Sequence, residues 1–437
     1  MHKRYLGLLA LVVLFGACHS SRPANSNKNF VTVKDGGFLR NGKLYHFMGA
    51  NYWKGQNLAS TGESGNRERL KRELDQMKAA GIRNLRVLAL SEGPEGSPYR
   101  ILPAVQDRPA DLKEEMMTGL DYLLIELRKR DMTAVMVLNN FWPWSGGMAQ
   151  YMLWNGAGAI PYPPPAPGGS WDAYQRYAAG FYGNADAMAQ CDAAVKKIIT
   201  RRNSITGKNY VDDPTIMAWE LCNEPRGINH AAEMKLWIDR SAAMIKGLDP
   251  RHLITTGAEG YTSSPEYSGT DFMTMHEGKD IDYTTAHIWI QNWGWYDPAK
   301  HDETYASAKQ KMLDYLERHA EESRKLGKPF VLEEFGIMKD GGDFNPDATT
   351  VHRDEYYAAV FEAVLQYMRQ GQASGVNFWA WGGEGRPKKP GTMWAKGDEL
   401  TGDPPHEPQG WYSVYDIDKN TQAVIKEFSK KIRELNK

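Results

Sequence analysis

Charge of one sign is missing from this 437-residue sequence: 53 basic residues stand against 54 acidic ones. That balance lacks the footprint of a nucleic-acid binder and gives no reason to expect a polyanionic partner. Cysteine is scarce as well. Beyond Cys18 there are only Cys191 and Cys222, which make no disulfide framework, so stability must come from a large core. With no CxxC spacing and no clustered histidine beside them, they offer no metal site, and no metal or organic cofactor is implied. No internal repeat or Pro/Ser linker divides the body. Residues 30–437 therefore read as one domain, expected to be monomeric. After the first eighteen residues, no segment is long and apolar enough to cross a membrane.

Those eighteen residues read as an export signal. Lys3 and Arg4 give a positive start, residues 6–15 are an apolar run too short to span, and Gly16-Ala17 are small residues before Cys18. The small-small-Cys ending is similar to a bacterial lipobox, although Phe15 stands where leucine is usual. An ordinary cleavage site nearby, with Cys18 incidental, is the other reading. On the first reading the mature chain is exported and touches a membrane only through a lipid on Cys18. Residues 19–29 are polar and tether-like.

What is abundant is aromatic: 14 Trp and 22 Tyr. They either fill a core or line a groove that stacks on flat apolar ligand faces. Residues 30–47 read as a small hairpin with turns at Asp35-Gly36-Gly37 and Asn41-Gly42. Strand and helix patterns then alternate. Strands are expected over 45–52, 84–90, 133–139, 215–224, 253–259, 283–289, 330–334 and 376–381. Helices are expected over 67–80, 111–130, 185–201, 230–247, 303–326, 350–370 and 421–435, with none of any length between the fifth and sixth strands. Eight parallel strands with helical crossovers make a (β/α)8 TIM barrel with a small N-terminal hairpin and long βα loops. Residues 141–169 read as an irregular aromatic loop belonging to a binding surface.

In such a barrel the C-terminal strand ends share one mouth. They would place there Asn51, Tyr52 and Trp53; Arg86; Asn139 and Asn140; Asn223 and Glu224; Glu259; His287 and Trp289; Glu334; and Trp379 and Trp381. A single polar strand end is no more than a solvated loop start, but seven or eight together are not. Cleaving a glycosidic bond needs one carboxyl to protonate the leaving oxygen and another, negative, near the anomeric carbon. Tips of the fourth and seventh strands can bring Glu224 and Glu334 to roughly 5 Å, the retaining spacing. Arg86 beside Glu334 would keep it ionised, Asn223 would hold the sugar 2-hydroxyl, and Trp381 would lie beneath the ring. Trp53, Trp142, Trp144, Trp289 and Trp293 would form an open groove. Alternatives stand beside these roles. Glu220 reads as a buried partner rather than a catalyst. Strand alternation lets only one of Glu333 and Glu334 face the mouth. His287 is either an orienting group or a satisfied core histidine.

Together these residues resemble glycoside hydrolase family 5, and its mannanase subfamily in particular, from about Phe30 to the C-terminus. Asn223-Glu224-Pro225 matches the family's acid/base motif, and Glu334-Phe335-Gly336 its nucleophile motif, which selects Glu334 over Glu333. Arg86, His287 and Trp381 look like the conserved residues of strands two, six and eight. Trp219 to Arg226 follow the mannanase pattern, and Asn51-Tyr52-Trp53 its strand-one pattern. The resemblance implies an endo-acting β-1,4-mannan hydrolase whose partner is a mannan polysaccharide or oligosaccharide. Asn139-Asn140 replaces the histidine many members carry, as in mannanase-type members. Trp289 replaces a tyrosine that would hydrogen-bond the nucleophile, so either its indole or another tyrosine is expected to substitute.

Overall fold

The computed structural model describes residues 29–437; the expected signal, Cys18 and all but the last residue of the tether lie outside them. Eight parallel strands form the centre: β1 (Phe47–Asn51), β2 (Asn84–Leu88), β3 (Thr133–Val137), β4 (Ile216–Glu220), β5 (Leu253–Thr255), β6 (Thr284–Ile288), β7 (Phe330–Phe335) and β8 (Gly375–Phe378). They pair in the order β5-β4-β3-β2-β1-β8-β7-β6. Every strand residue is buried, as expected when helices cover one face and side chains fill the other. Around them run α1 (Arg67–Ala79), α2 (Glu114–Lys129), α3 (Ala185–Ile199), α4 (Ala231–Leu248), α5 (His301–Leu326), α6 (Val351–Arg369) and α7 (Lys419–Glu434). The (β/α)8 expectation holds.

The seam falls between β5 and β6, where no ladder forms. A few bonds close it: Asp282 N to Ile254 O at 2.8 Å, His287 N to Glu259 O at 2.9 Å, and Thr255 Oγ1 to Tyr283 O at 3.1 Å. This is also the crossover without a long helix; only Pro265–Ser268 and Phe272–His276 lie there.

Helix ends follow local chemistry. Asn66 caps α1 through Arg69 N at 3.0 Å, Asn184 caps α3 through Ala187 N at 3.0 Å, and α5 stops at left-handed Gly327. The N-terminal hairpin has three short strands, within the two or three expected, and Phe38 packs its ring 5.3 Å from Tyr283 and 6.3 Å from Phe47, plugging the barrel opposite the mouth. Residues 141–169 are not wholly irregular: Gly147–Trp154 is a helix. It is apolar on most sides, so it lacks the one-sided stripe that marks a helix in sequence. Cys191 and Cys222 are buried free thiols.

Two features shape the mouth. In β7 the pairing slips between Leu332 and Glu334, so the strand carries one extra residue against β6. The long segment after β8 folds back over the barrel, held by Trp53 Nε1 to Gly402 O at 2.7 Å and by Asp403, which accepts Gly410 N at 2.8 Å and Tyr412 N at 2.6 Å. Its root is tied to α1 by Glu73, which accepts the Tyr52 hydroxyl at 2.7 Å, Arg69 Nε at 2.7 Å and Glu384 N at 2.9 Å. Replacing Glu73 with alanine takes the paired carboxylate from a buried guanidinium and the acceptor from a buried phenol. It is expected to cost about 3 kcal/mol, read as a lower denaturation midpoint.

Candidate active site

Chain geometry at the mouth begins with β4. The strand ends at Glu220, and the next residues continue by single bonds, Cys222 N to Thr256 O at 3.3 Å and Glu224 N to Gly257 O at 2.9 Å. Gly257 is required there: a Cβ would meet the Cys222 carbonyl oxygen at 2.0 Å. Glu224 itself sits at φ 53°, a left-handed conformation costly for a non-glycine residue and commonly found at functional sites. It turns the side chain into a cavity of about 620 Å³. Glu334 enters the same cavity from β7.

One carboxylate oxygen of Glu224, one of Glu334 and one ring nitrogen of His287 all lie within 4.8 Å of one another. No other triad of this kind occurs among the described residues. It is a proton-sharing cluster rather than a metal cage. His287 Nδ1 is committed to Glu224 Oε1 at 2.6 Å, and the Arg86 guanidinium sits against Glu334, where it would repel a divalent cation.

Arg86 places every donor. Its Nε and Nη2 reach Glu220 at 2.8 and 2.6 Å, Nη1 reaches Asn51 at 3.0 Å and also Glu334, and Nη2 reaches Asn223 at 2.7 Å. Glu220 is thus the buried partner expected, its pKa raised to about 7 by burial against the pull of Arg86. Arg86 does not line the cavity; it orients groups that do. Asn140 behaves likewise, accepting Trp142 N at 3.0 Å and Asn223 Nδ2 at 3.1 Å. Arg86, Asn140 and His287, expected at the mouth among the substrate-binding residues, do not line the cavity; they orient groups that do, the role already open for His287. Asn223 does line it and keeps one amide hydrogen free. Arg226 and Glu259 also line it, joined at 2.6 and 2.8 Å, with the guanidinium over Trp142.

Protonation departs from expectation. Burial raises the Glu334 pKa to about 8, with the neighbouring Glu224 charge adding to it and outweighing His287 and Arg86. Arg86 alone does not hold Glu334 in the ordinary carboxylate range. Burial also acts to raise Glu224, but His287, Arg226 and the Trp142 N–H together carry it below the usual value. His287, which burial alone would neutralise, is pushed up to about 10 by Glu334, Glu224 and Glu333.

Two tryptophans are misplaced by sequence reasoning. Trp381 is fully buried and pairs with Val414 in a separate two-stranded sheet. Trp379, one residue past β8, lines the cavity instead, its ring 6.1 Å from both Trp144 and Trp289. Gly336 of the Glu-Phe-Gly motif makes room for it, since a Cβ there would lie 2.8 Å from the Trp379 carbonyl oxygen. Trp53 is spent on Gly402 and does not reach the cavity. Trp142, Trp144, Trp289 and Trp293 do line it. The Trp289 indole points to Glu224 Oε1 at 3.3 Å, not to the other carboxylate, and no tyrosine hydroxyl is hydrogen-bonded to Glu334 among the described residues. The segment after β8 adds His406, Glu407, Trp411 and Tyr412, and the helix starting at Trp171 adds that ring. No local pattern in the sequence marked them. Burial and the charges of Asp403, Glu334 and Glu224 hold the Glu407 carboxyl well above its usual pKa.

Comparison with known proteins agrees with this geometry. The family model for β-mannosidase-like members of glycoside hydrolase family 5 matches residues 28–437. A crystal structure of a family 5 mannosidase from Rhizomucor miehei superposes with TM-score 0.86 at 39% identity, covering 94% of this chain and 99% of that one. The mannan endo-1,4-β-mannosidase 1 of Solanum lycopersicum is 31% identical over 350 residues, 76% of this chain and 81% of that protein. An endo-1,4-β-mannanase from Rhizomucor miehei shares the fold at TM-score 0.67 and 19% identity. With its two carboxylates converging at the mouth of a matching barrel, the chain belongs to glycoside hydrolase family 5, among its β-mannosidase-like members.

Proposed function

We propose that the protein is a retaining glycoside hydrolase that cuts β-1,4-mannosidic linkages within mannan, glucomannan or galactomannan. One observation carries the mechanism: oxygens of Glu224 and Glu334 approach within 4.8 Å across one cavity. That is the separation of a retaining pair, with no room for the water an inverting enzyme places between them. Glu334 attacks the anomeric carbon as the bond to the leaving oxygen breaks, and Glu224 gives that oxygen its proton. Glu224 then takes a proton from water, whose oxygen displaces Glu334 and frees the sugar.

Burial raises Glu334 while His287 and Arg226 lower Glu224, so the pair's shared proton favours Glu334 at rest, while the first step needs it on Glu224. His287 Nδ1 lies 2.6 Å from Glu224 and 3.4 Å from Glu334, so it can give its proton to one as it receives the other's. Positive charge developing on the sugar favours ionised Glu334 and drives the exchange. Asn223 is placed to hold the 2-hydroxyl, and Trp379 to lie against the ring.

The mannan assignment is supported by the tomato mannan endo-1,4-β-mannosidase and by the Rhizomucor miehei mannosidase, one variant of which was solved in complex with mannosyl-fructose. That short ligand, and the segment after β8 that walls the cavity with His406 and Trp411, favour a second reading in which chain ends or short β-mannosides are cut. The pattern of residues 1–18 supports export and a lipid tether at Cys18.

Incubation with mannan, glucomannan and cellulose separates these readings. Short manno-oligosaccharides from the first two are expected; mannose alone selects the second reading, and no release from any mannan contradicts both. Glu224→Gln should lower kcat/KM on mannan by about 10²–10⁴-fold, but far less on an aryl mannoside whose leaving group needs no proton. Trp379→Ala should lower kcat/KM, while Trp381→Phe should leave it near wild type. Because Glu334 is raised to about 8, the rate should fall as pH rises past that value and the shared proton is lost.

A further inference from the structure

Glu333 has no part in the reaction as written, yet it is buried at the centre of the site. Strand alternation would turn it away from Glu334. The slip in β7 between Leu332 and Glu334 undoes that, and both carboxylates face inward. Glu333 Oε2 lies 3.7 Å from His287 Nε2 and 3.8 Å from Arg86 Nε, and its Oε1 receives Tyr283 OH at 3.5 Å. Neither Glu333 Oε2 nor His287 Nε2 has a hydrogen-bond partner within the normal limit. Each is the other's nearest means of satisfaction, and an unpaired buried charge of either kind is costly. On its other edge the His287 ring meets Glu224 and Glu334; Glu220 and Glu259 act on it through their charge.

We infer that Glu333 is a positioning residue, which holds the His287 ring by its Nε2–H so that the Nδ1 proton can be exchanged between Glu224 and Glu334. The proposal rests on the acid/base and nucleophile roles given above. The exchange balances: Nδ1–H passes its proton to Glu224 Oε1, and the proton of Glu334 replaces it on Nδ1. The Nε2–H takes no part, its positive charge balanced by Glu333 3.7 Å away. Without that carboxylate the imidazolium loses a counter-charge, and the whole cluster releases its proton more easily.

Glu333→Gln keeps the shape and removes the charge. The alkaline limb of kcat/KM, measured on a soluble manno-oligosaccharide, should move down by about one pH unit. A merely structural role would instead lower activity equally at every pH. An unmoved limb in a folded variant overturns the inference. A second reading needs no Glu333 variant and no substrate. Proton NMR at neutral pH should show, among the downfield imidazole N–H signals, two that belong to His287 and vanish together in His287→Asn. A single signal means Nε2 carries no proton and contradicts the role. Loss of all activity in Glu224→Ala and Glu334→Ala tests the underlying assignment separately, so failure of one is distinguishable from failure of the other.

Discussion

A single buried guanidinium organises this molecule. Arg86 spends all five of its donors on Glu220, Asn51, Asn223 and Glu334, side chains brought from β1, β4 and β7 or from just beyond them. Each partner is satisfied by it, and it is satisfied by them. An isolated charge at this depth would be prohibitively costly, so the strands carrying the partners must meet around it in one register. The fold in this region is therefore the solution to a charge problem, and the catalytic geometry is that solution seen from the mouth.

The chemistry follows from how unevenly the remaining charges are placed. Glu224 faces an imidazolium, an indole N–H and, at longer range, Arg226; Glu334 faces Arg86 but also the full cost of burial and the charge of its partner. Two carboxylates this close cannot both ionise freely, so they titrate as a unit. His287 joins them, and its own charge is sustained by the acids around it. The slip in β7 is what makes the cluster so acidic, since it turns a second glutamate inward beside the first.

Much of this was legible in the chain. Leu70, Leu74 and Met77 repeat at helical spacing and are buried in α1. The polar residues closing each apolar run pointed to one mouth, and Asn223-Glu224-Pro225 and Glu334-Phe335-Gly336 located the carboxylates. What escaped depended on where strands stop and slip. β8 ends at Phe378, so parity beyond it fails: Trp379 takes the cavity position and Trp381 enters another sheet. Glu333 could not be seen facing inward because one extra residue in a strand leaves no mark on its alternation. Trp53 was assigned to a groove, but its indole anchors the segment after β8, a contact across 349 positions that no local pattern encodes. That segment itself carries no strand or helix period, so its wall of His406, Glu407, Trp411 and Tyr412 was invisible before folding.

The account stands on two carboxylates meeting at retaining distance. Proton NMR of the sugar released in the first moments of hydrolysis reads this directly, before the anomers equilibrate. A new reducing end that appears first in the β configuration is the expected result. An α anomer appearing first would mean that water, not Glu334, attacks the sugar, and the site as described would be wrong.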